Sequence, residues 1–146
     1  MIRTEQEHRL ARERLDQEAE RLSAHRTNLR RQGLKTAELR RAMEPLESFH
    51  LQLAEEVESY ERLQRGEVEP IVNLERFGRM LIGLRIAQGV SQRELAERLG
   101  VHESQVSRDE RNEYHGASLE RANRVLEALE AQVQITVIRP TPRRAG

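Results

Sequence analysis

The chain has 146 residues, of which 34% are charged and only 3% aromatic, and it contains no cysteine or tryptophan. This length suits one domain, or one small domain with an appendage, and the composition favours long helices around a modest core. The 25 basic and 25 acidic residues cancel, so no overall positive field attracts nucleic acid or an anionic membrane. Disulfides and thiolate chemistry are excluded because there is no cysteine.

The first predicted element is a long helix over residues 3–32, a stretch without glycine or proline. Leu15, Leu22 and Leu29 recur at seven-residue spacing, and Gly33 is a suitable helix stop. At 1.5 Å per residue this helix would be roughly 45 Å long. The leucines fit either a coiled coil that binds a partner or an intramolecular hairpin, of which we favour the hairpin.

A second helix is predicted to begin near Thr36, with an interruption or kink at Pro45. After the proline an apolar stripe with helical spacing continues as far as Gly66; its members are Leu46, Phe49, Leu53, Val57, Tyr60 and Leu63. Residues 1–66 are therefore predicted to form a helical hairpin or coiled-coil arm.

The remaining chain is predicted to hold a linker, a compact helical domain and a short strand. Residues 67–73 break the helical pattern and contain Pro70. Four helices are predicted within residues 74–130, over about 74–88, 92–99, 103–111 and 119–130. The fold class is thus all-α with a C-terminal β-strand in residues 131–140, and residues 141–146 form a basic tail.

The predicted strand suggests self-association. The segment from Val133 to Ile138 is β-branched and partly alternating. A lone strand leaves its backbone hydrogen-bonding groups open and is not stable by itself. Pairing with a second copy would satisfy them, so we expect a homodimer whose contact includes Val133, Ile135 and Val137.

Residues 84–108 carry the most informative pattern. Gly89 ends one helix, and Ser91 can cap the next by accepting a first-turn N–H. Leu95 and Leu99 lie four residues apart on one face, and the small Ala96 beside them lets a third helix cross closely. The segment therefore predicts two short helices packed at a steep angle.

The third helix of this pattern is the candidate for reading DNA. Gly100 would provide the tight turn before it, and Val101 and Val106 would face the core. A helix fits the major groove, where its N-terminal side chains reach base edges. The side chains left facing outward are Glu103, Ser104, Gln105 and Arg108.

The full set consists of Ser-Gln-x-x-Leu-Ala-x-x-Leu-Gly-Val from Ser91 and Val-Ser-x-x-Glu from Val106. This set resembles the Xre/Cro family of phage-repressor-like helix-turn-helix proteins. The resemblance covers residues 74–130. It implies that Gln92 clamps a phosphate and braces the recognition helix, and that Arg85 and Glu110 form a structural ion pair. It also implies base contacts from Glu103, Ser104, Gln105 and Arg108, and phosphate contacts from Arg93, His102 and the loop near Tyr114.

Two features depart from the family pattern. Asp109 stands where an apolar core residue is usual, and the following turn is lengthened to residues 111–116. We therefore expect the recognition helix to end differently and its loop to carry a polar network.

Other chemistry is not indicated. The five histidines show no metal-ligand spacing, and there is no glycine-rich phosphate loop or nucleophile motif. We therefore expect no enzyme activity, no metal and no cofactor. Because the first ten residues lack an apolar run and no stretch of 18 apolar residues occurs, a cytoplasmic protein without a membrane segment is expected.

Three functions fit these observations. The first is a homodimeric, sequence-specific transcriptional regulator, a repressor of a palindromic site in double-stranded DNA. The second is an antitoxin that represses its own operon and binds a toxin through residues 1–66, since the order of segments resembles antitoxins of the HigA and HipB type. The third is an interaction scaffold that no longer binds DNA, for which zero net charge is the only support.

Overall fold

The computed structural model describes residues 1–138, which contain six α-helices. In chain order they are α1 (Glu5–Arg31), α2 (Thr36–Gln64), α3 (Phe77–Ala87), α4 (Gln92–Leu99), α5 (Glu103–Arg111) and α6 (Leu119–Ala128). The predicted all-helical fold is confirmed. The bounds of α4 and α5 coincide with those predicted, whereas α3 begins three residues later than expected.

The first two helices form an antiparallel hairpin. His8 lies against Glu61 at the base of the hairpin, and Arg26 pairs with Glu47 towards its other end. The turn between them contains Gly33 at φ +85°, a left-handed conformation that glycine adopts without a Cβ clash. The hairpin core is thin, because α1 has no fully buried residue.

Helix α2 corrects the prediction of an interruption at Pro45, because it runs through the proline without a break. Pro45 lies on the exposed side of the helix, as does Arg41 four residues earlier. Proline cannot donate a hydrogen bond to the Arg41 carbonyl, but water reaches that side of the helix. Thr36, a residue type that often caps helices, is instead the first residue of α2. The cap position is Lys35, whose N–H donates to the Glu38 carboxylate at 2.8 Å.

The base of the hairpin shares one hydrophobic core with the four short helices. Ile2, Val57 and Tyr60 are buried in the same cluster as Leu81 and Ile82 of α3. The arm is therefore anchored on the compact domain by apolar burial, the main favourable contribution to folding.

The C-terminal segment corrects the predicted strand. Residues 131–138 form no regular secondary structure, and Val133, Ile135 and Val137 are exposed. The described part of the chain offers no neighbouring strand to pair with their backbone groups, so sequence propensity alone does not produce a strand here. Residues 139–140 of the predicted strand, and the basic tail, lie outside the described residues.

Candidate nucleic-acid interface

A well-capped helix pair positions the candidate reading helix. The Ser91 hydroxyl accepts the Glu94 N–H at 3.1 Å, and the Glu94 carboxylate accepts the Ser91 N–H at 2.7 Å. Hydrogen bonding of the Glu94 carboxylate to Ser91, first of all to its backbone N–H, lowers the pKa of Glu94. Helix α4 then ends at Gly100, whose φ of +66° turns the chain into α5. The buried side chains of Leu95 and Val106 hold the two helices together.

The outward face of α5 presents three of the predicted base-contacting residues. Glu103, Ser104 and Arg108 are exposed, whereas Gln105 is half-buried. Arg111 is exposed as well and lies three residues beyond Arg108, on the same side of the helix. Neither arginine forms an ion pair within the described part of the chain. Arg111 was not predicted, although its spacing from Ser104 and Arg108 would have identified it.

Asp109 occupies the position where the Xre/Cro family pattern usually has an apolar core residue. Its carboxylate accepts the Gln105 amide at 3.0 Å and also pairs with Arg121 of α6. These polar contacts join α5 to α6 in place of apolar packing. They also direct the Gln105 side chain along the helix, so the structure does not place Gln105 on the exposed face predicted for it.

His102 caps the start of α5. Its Nδ1 accepts the Ser104 N–H at 3.2 Å and lies 2.8 Å from the Ser104 hydroxyl. Because Nδ1 is an acceptor in this arrangement, the proton of the neutral ring is on Nε2. His102 is exposed, so this N–H is free to donate to a phosphate.

Glu110 at the end of α5 is held by Arg85, its predicted partner, and by Gln92. It is fully buried, and its carboxylate receives Arg85 Nε at 2.5 Å and Arg85 Nη2 at 2.7 Å. The Gln92 amide donates to the same carboxylate at 2.7 Å. Because an amide group has two N–H donors, the second remains available for a phosphate. Gln92 therefore links the beginning of α4 to the end of α5.

Arg85 also connects this site to the beginning of the chain. Its remaining donors reach the Val90 carbonyl and the Arg3 carbonyl, both at 2.8 Å. Ile2, next to Arg3, is only 7% exposed and belongs to the shared core. The segment before α1 thus contacts the group that holds the recognition helix, a link that no local sequence signal indicates.

The loop after α5 differs from the prediction. Tyr114 is buried, and burial raises its pKa strongly, so the structure does not place its side chain where a phosphate contact was expected. Glu113 and Tyr114 both have positive φ, and the Glu113 carbonyl lies directly against Gly78. The loop side chains that are exposed are Asn112, His115 and Ser118, the last of which caps α6.

The side chain of Arg93 lies at the start of α4. It is 76% exposed and pairs with Glu97 one turn later at 3.1 Å. Such an exposed pair contributes at most about 1 kcal/mol, so the guanidinium can exchange this partner for a phosphate.

Residues 1–138 show neither a metal site nor a membrane-spanning helix. No group of three or more histidine, aspartate or glutamate side chains is arranged to hold a metal ion there. Across the same residues, no helix combines the length and apolar character that crossing a membrane requires.

This site is similar to a known protein family. A family model for helix-turn-helix proteins, of the Xre/Cro type, matches residues 82–134. This confirms the resemblance inferred from the motif, over a little more than a third of the chain. Neither the curated proteins nor the solved structures contain a significant match to the chain.

Proposed function

We propose that this chain, a DNA-binding regulator with an Xre/Cro-type helix-turn-helix domain in residues 82–134, is a repressor that binds a palindromic operator as a homodimer. Repression would follow from occupation of the operator, which excludes the transcription machinery. Helix α5 would enter the major groove, and the beginning of α4 would contact the phosphate backbone.

The observation that carries the proposal is the exposed face of α5. Arg108 has no ion-pair partner within residues 1–138, and it lies on the helix whose end is braced by Glu110. Arginine at such a position commonly donates two hydrogen bonds to guanine. Ser104 and Glu103 precede it on the half of the helix nearest the groove, while Arg111 extends the basic face.

Site selection from random duplexes with the full-length protein tests this proposal. A palindrome with half-sites about one helical turn apart, roughly 34 Å, is expected. Arg108→Ala should weaken binding to the selected site by about 1–3 kcal/mol and relax one base position. Arg93→Ala is the matched control, because loss of a phosphate contact weakens all sequences alike. Selection of no sequence, or equal losses for Arg108→Ala on selected and random DNA, would contradict the proposal.

Self-association is supported by the C-terminal segment. Ile135 and Val137 are 72% and 81% exposed, and a second copy would cover such neighbouring apolar side chains. A two-fold dimer also matches the symmetry of a palindrome. Light scattering at micromolar concentration should give twice the monomer mass, and Ile135→Glu with Val137→Glu should halve it. A wild-type monomer would contradict the dimer.

The antitoxin function is a second candidate, supported by exposed apolar side chains on the arm. Leu46, Phe49 and Leu51 are 45%, 49% and 61% exposed, a feature typical of a protein-binding surface. The test is to co-express this chain with the product of any adjoining small reading frame. Relief of growth arrest that is lost in Phe49→Asp and kept in Arg108→Ala would support the antitoxin function. If the product of the adjoining reading frame does not arrest growth, the antitoxin function is excluded for that pair of proteins.

A further inference from the structure

The far end of the helical arm is strongly basic. We define the arm tip as residues 21–43, the last part of α1, the turn and the first part of α2. It contains six arginines and one lysine against a single carboxylate, that of Glu38. All seven cationic side chains are exposed, and within residues 1–138 only Arg26 forms an ion pair, with Glu47.

The compact helical domain does not show this excess. The helices α3 to α6, residues 77–128, carry eight basic and eight acidic side chains. The helix-turn-helix domain therefore has no net charge with which to attract a phosphate backbone, the interaction that provides most non-specific DNA affinity. The arm tip supplies the positive charge that this domain lacks.

Helix stability does not account for this cluster. Arg30 and Arg31 lie in the last turn of α1, where cations interact favourably with the helix dipole. Arg40 and Arg41 lie near the beginning of α2, where the dipole offers cations no advantage. A stabilising role would thus explain one side of the turn and not the other.

The chemistry of the tip favours nucleic acid over other anionic partners. Arginine forms paired hydrogen bonds to phosphate oxygens, and six of the seven cations are arginines. Insertion into a membrane surface needs exposed apolar side chains beside the charges, but Leu22, Leu29 and Leu34 are half-buried. The tip also lacks the exposed aromatic or aliphatic anchors that usually dominate a protein interface.

We infer that the arm tip is a second, sequence-independent DNA-binding site, which contacts phosphates that flank the operator. This inference rests on the proposed function, since the helix-turn-helix domain selects the operator. The 27 residues of α1 give the arm a reach of about 40 Å at 1.5 Å per residue. The tip would accordingly contact DNA about one helical turn beyond the half-site.

The test compares how the DNA affinity of the wild type and of a tip variant depends on salt concentration. Two duplexes contain the same selected operator, and their lengths are about 20 and about 60 base pairs. At 3.4 Å per base pair, only the longer duplex extends to the expected position of the arm tip. The variant replaces Arg30, Arg31, Arg40 and Arg41 with glutamine in the full-length protein. On the long duplex it should lower the salt slope by about four to seven, since each phosphate contact contributes about 0.9 and the dimer carries two arm tips. It should also weaken binding at low salt at least about tenfold. On the short duplex it should bind within about twofold of the wild type.

The control removes the same number of charges from the base of the arm, by replacing Arg9, Arg12, Arg62 and Arg65 with glutamine. These side chains are also exposed, so any general effect of charge should be equal on the two duplexes. The tip inference is overturned if the tip variant keeps the wild-type difference in slope between long and short DNA. It is overturned as well if the tip matters only for binding vesicles that contain phosphatidylserine.

The two proposals fail separately. If the wild type binds selected and random duplexes alike, and the tip variant still lowers the slope on long DNA, the operator-specific function fails and the tip site stands. If the operator is bound specifically and the tip makes no contribution, the operator-specific function stands and the tip site fails. Circular dichroism of the tip variant should match the wild type, because all four replaced side chains are exposed.

Discussion

The buried pair of Arg85 and Glu110 gives the sharpest prediction about what positions the recognition helix. Arg85 is 3% exposed and Glu110 0%, so neither charge can be solvated if the other is removed. We expect Glu110→Leu and Arg85→Met each to destabilise the domain more than the double replacement does. This order is unusual, because two separate losses normally add.

The magnitudes follow from the hydrogen bonds of the pair. Each single replacement leaves a buried charge without its counter-ion, which costs about 3–5 kcal/mol. The double replacement removes both charges and leaves the Val90 and Arg3 carbonyls without the donors that Arg85 provides. At about 1 kcal/mol for each lost hydrogen bond, the double variant should lose about 2 kcal/mol. Gln92 is half-buried, so water can replace its bond to Glu110.

Urea unfolding followed by far-UV circular dichroism measures the three free energies of unfolding. The sum of the two single losses should exceed the loss of the double variant by at least about 3 kcal/mol, the size expected of strongly coupled buried charges. Gln92→Ala serves as the control and should lose about 1 kcal/mol, since only one hydrogen bond is removed. Additive losses for Arg85 and Glu110 would refute the view that their charges are mutually dependent.

Three further predictions concern the loop, the arm and its contact with the domain. Gly78→Ala should destabilise the protein by about 1–3 kcal/mol, since its Cβ would lie 1.8 Å from the Glu113 carbonyl oxygen. Gly83→Ala should be milder, because the atom nearest to its Cβ, at 3.1 Å, belongs to the flexible side chain of Leu63. Equal shifts of the melting temperature for the two variants would contradict this. The His8 hydrogen bond and then the Arg12 charge lower the pKa of Glu61. The stability that Glu61 contributes is therefore complete above about pH 4.3, the ordinary glutamate value, and is lost as the pH falls through the lowered pKa. Glu61→Gln should lessen this acid sensitivity, and acid unfolding curves identical to those of the wild type would contradict the prediction. Ile2→Ala and Met43→Ala should each cost about 2–4 kcal/mol on unfolding. On the operator duplex of about 20 base pairs, which the arm tip does not reach, only Ile2→Ala should weaken binding in fluorescence anisotropy, because Ile2 holds the Arg3 carbonyl against Arg85. Equal affinities of the two variants would contradict this link between the arm and the domain.

Several features were predictable because their causes are local. Ser91 and Gly100 bound α4 at the predicted residues, since a cap and a left-handed turn act within one helical turn. The family pattern likewise paired Arg85 with Glu110. The α-helical arm followed from a long stretch of helix-forming residues.

Other features depended on neighbours that the sequence does not identify. Tyr114 is buried because the loop packs against Gly78 of α3, and Gln105 turns towards Asp109, which Arg121 of α6 also holds. The segment at Val133 has the composition of a strand, but residues 1–138 contain no strand beside it. In each case a distant partner, or its absence, outweighed the local preference.

The sequence by itself determined the bounds of α4 and α5 and most of the outward face of α5, since these depend on residues within a few positions of one another. The tertiary structure decided which of those side chains remain free and what holds the helix in place. The clearest case is the hydrogen bond from Arg85 to the Arg3 carbonyl, which joins residues 82 positions apart. It forms only because the hairpin returns the base of the arm to the domain core, where burial of Ile2 brings that carbonyl to the guanidinium.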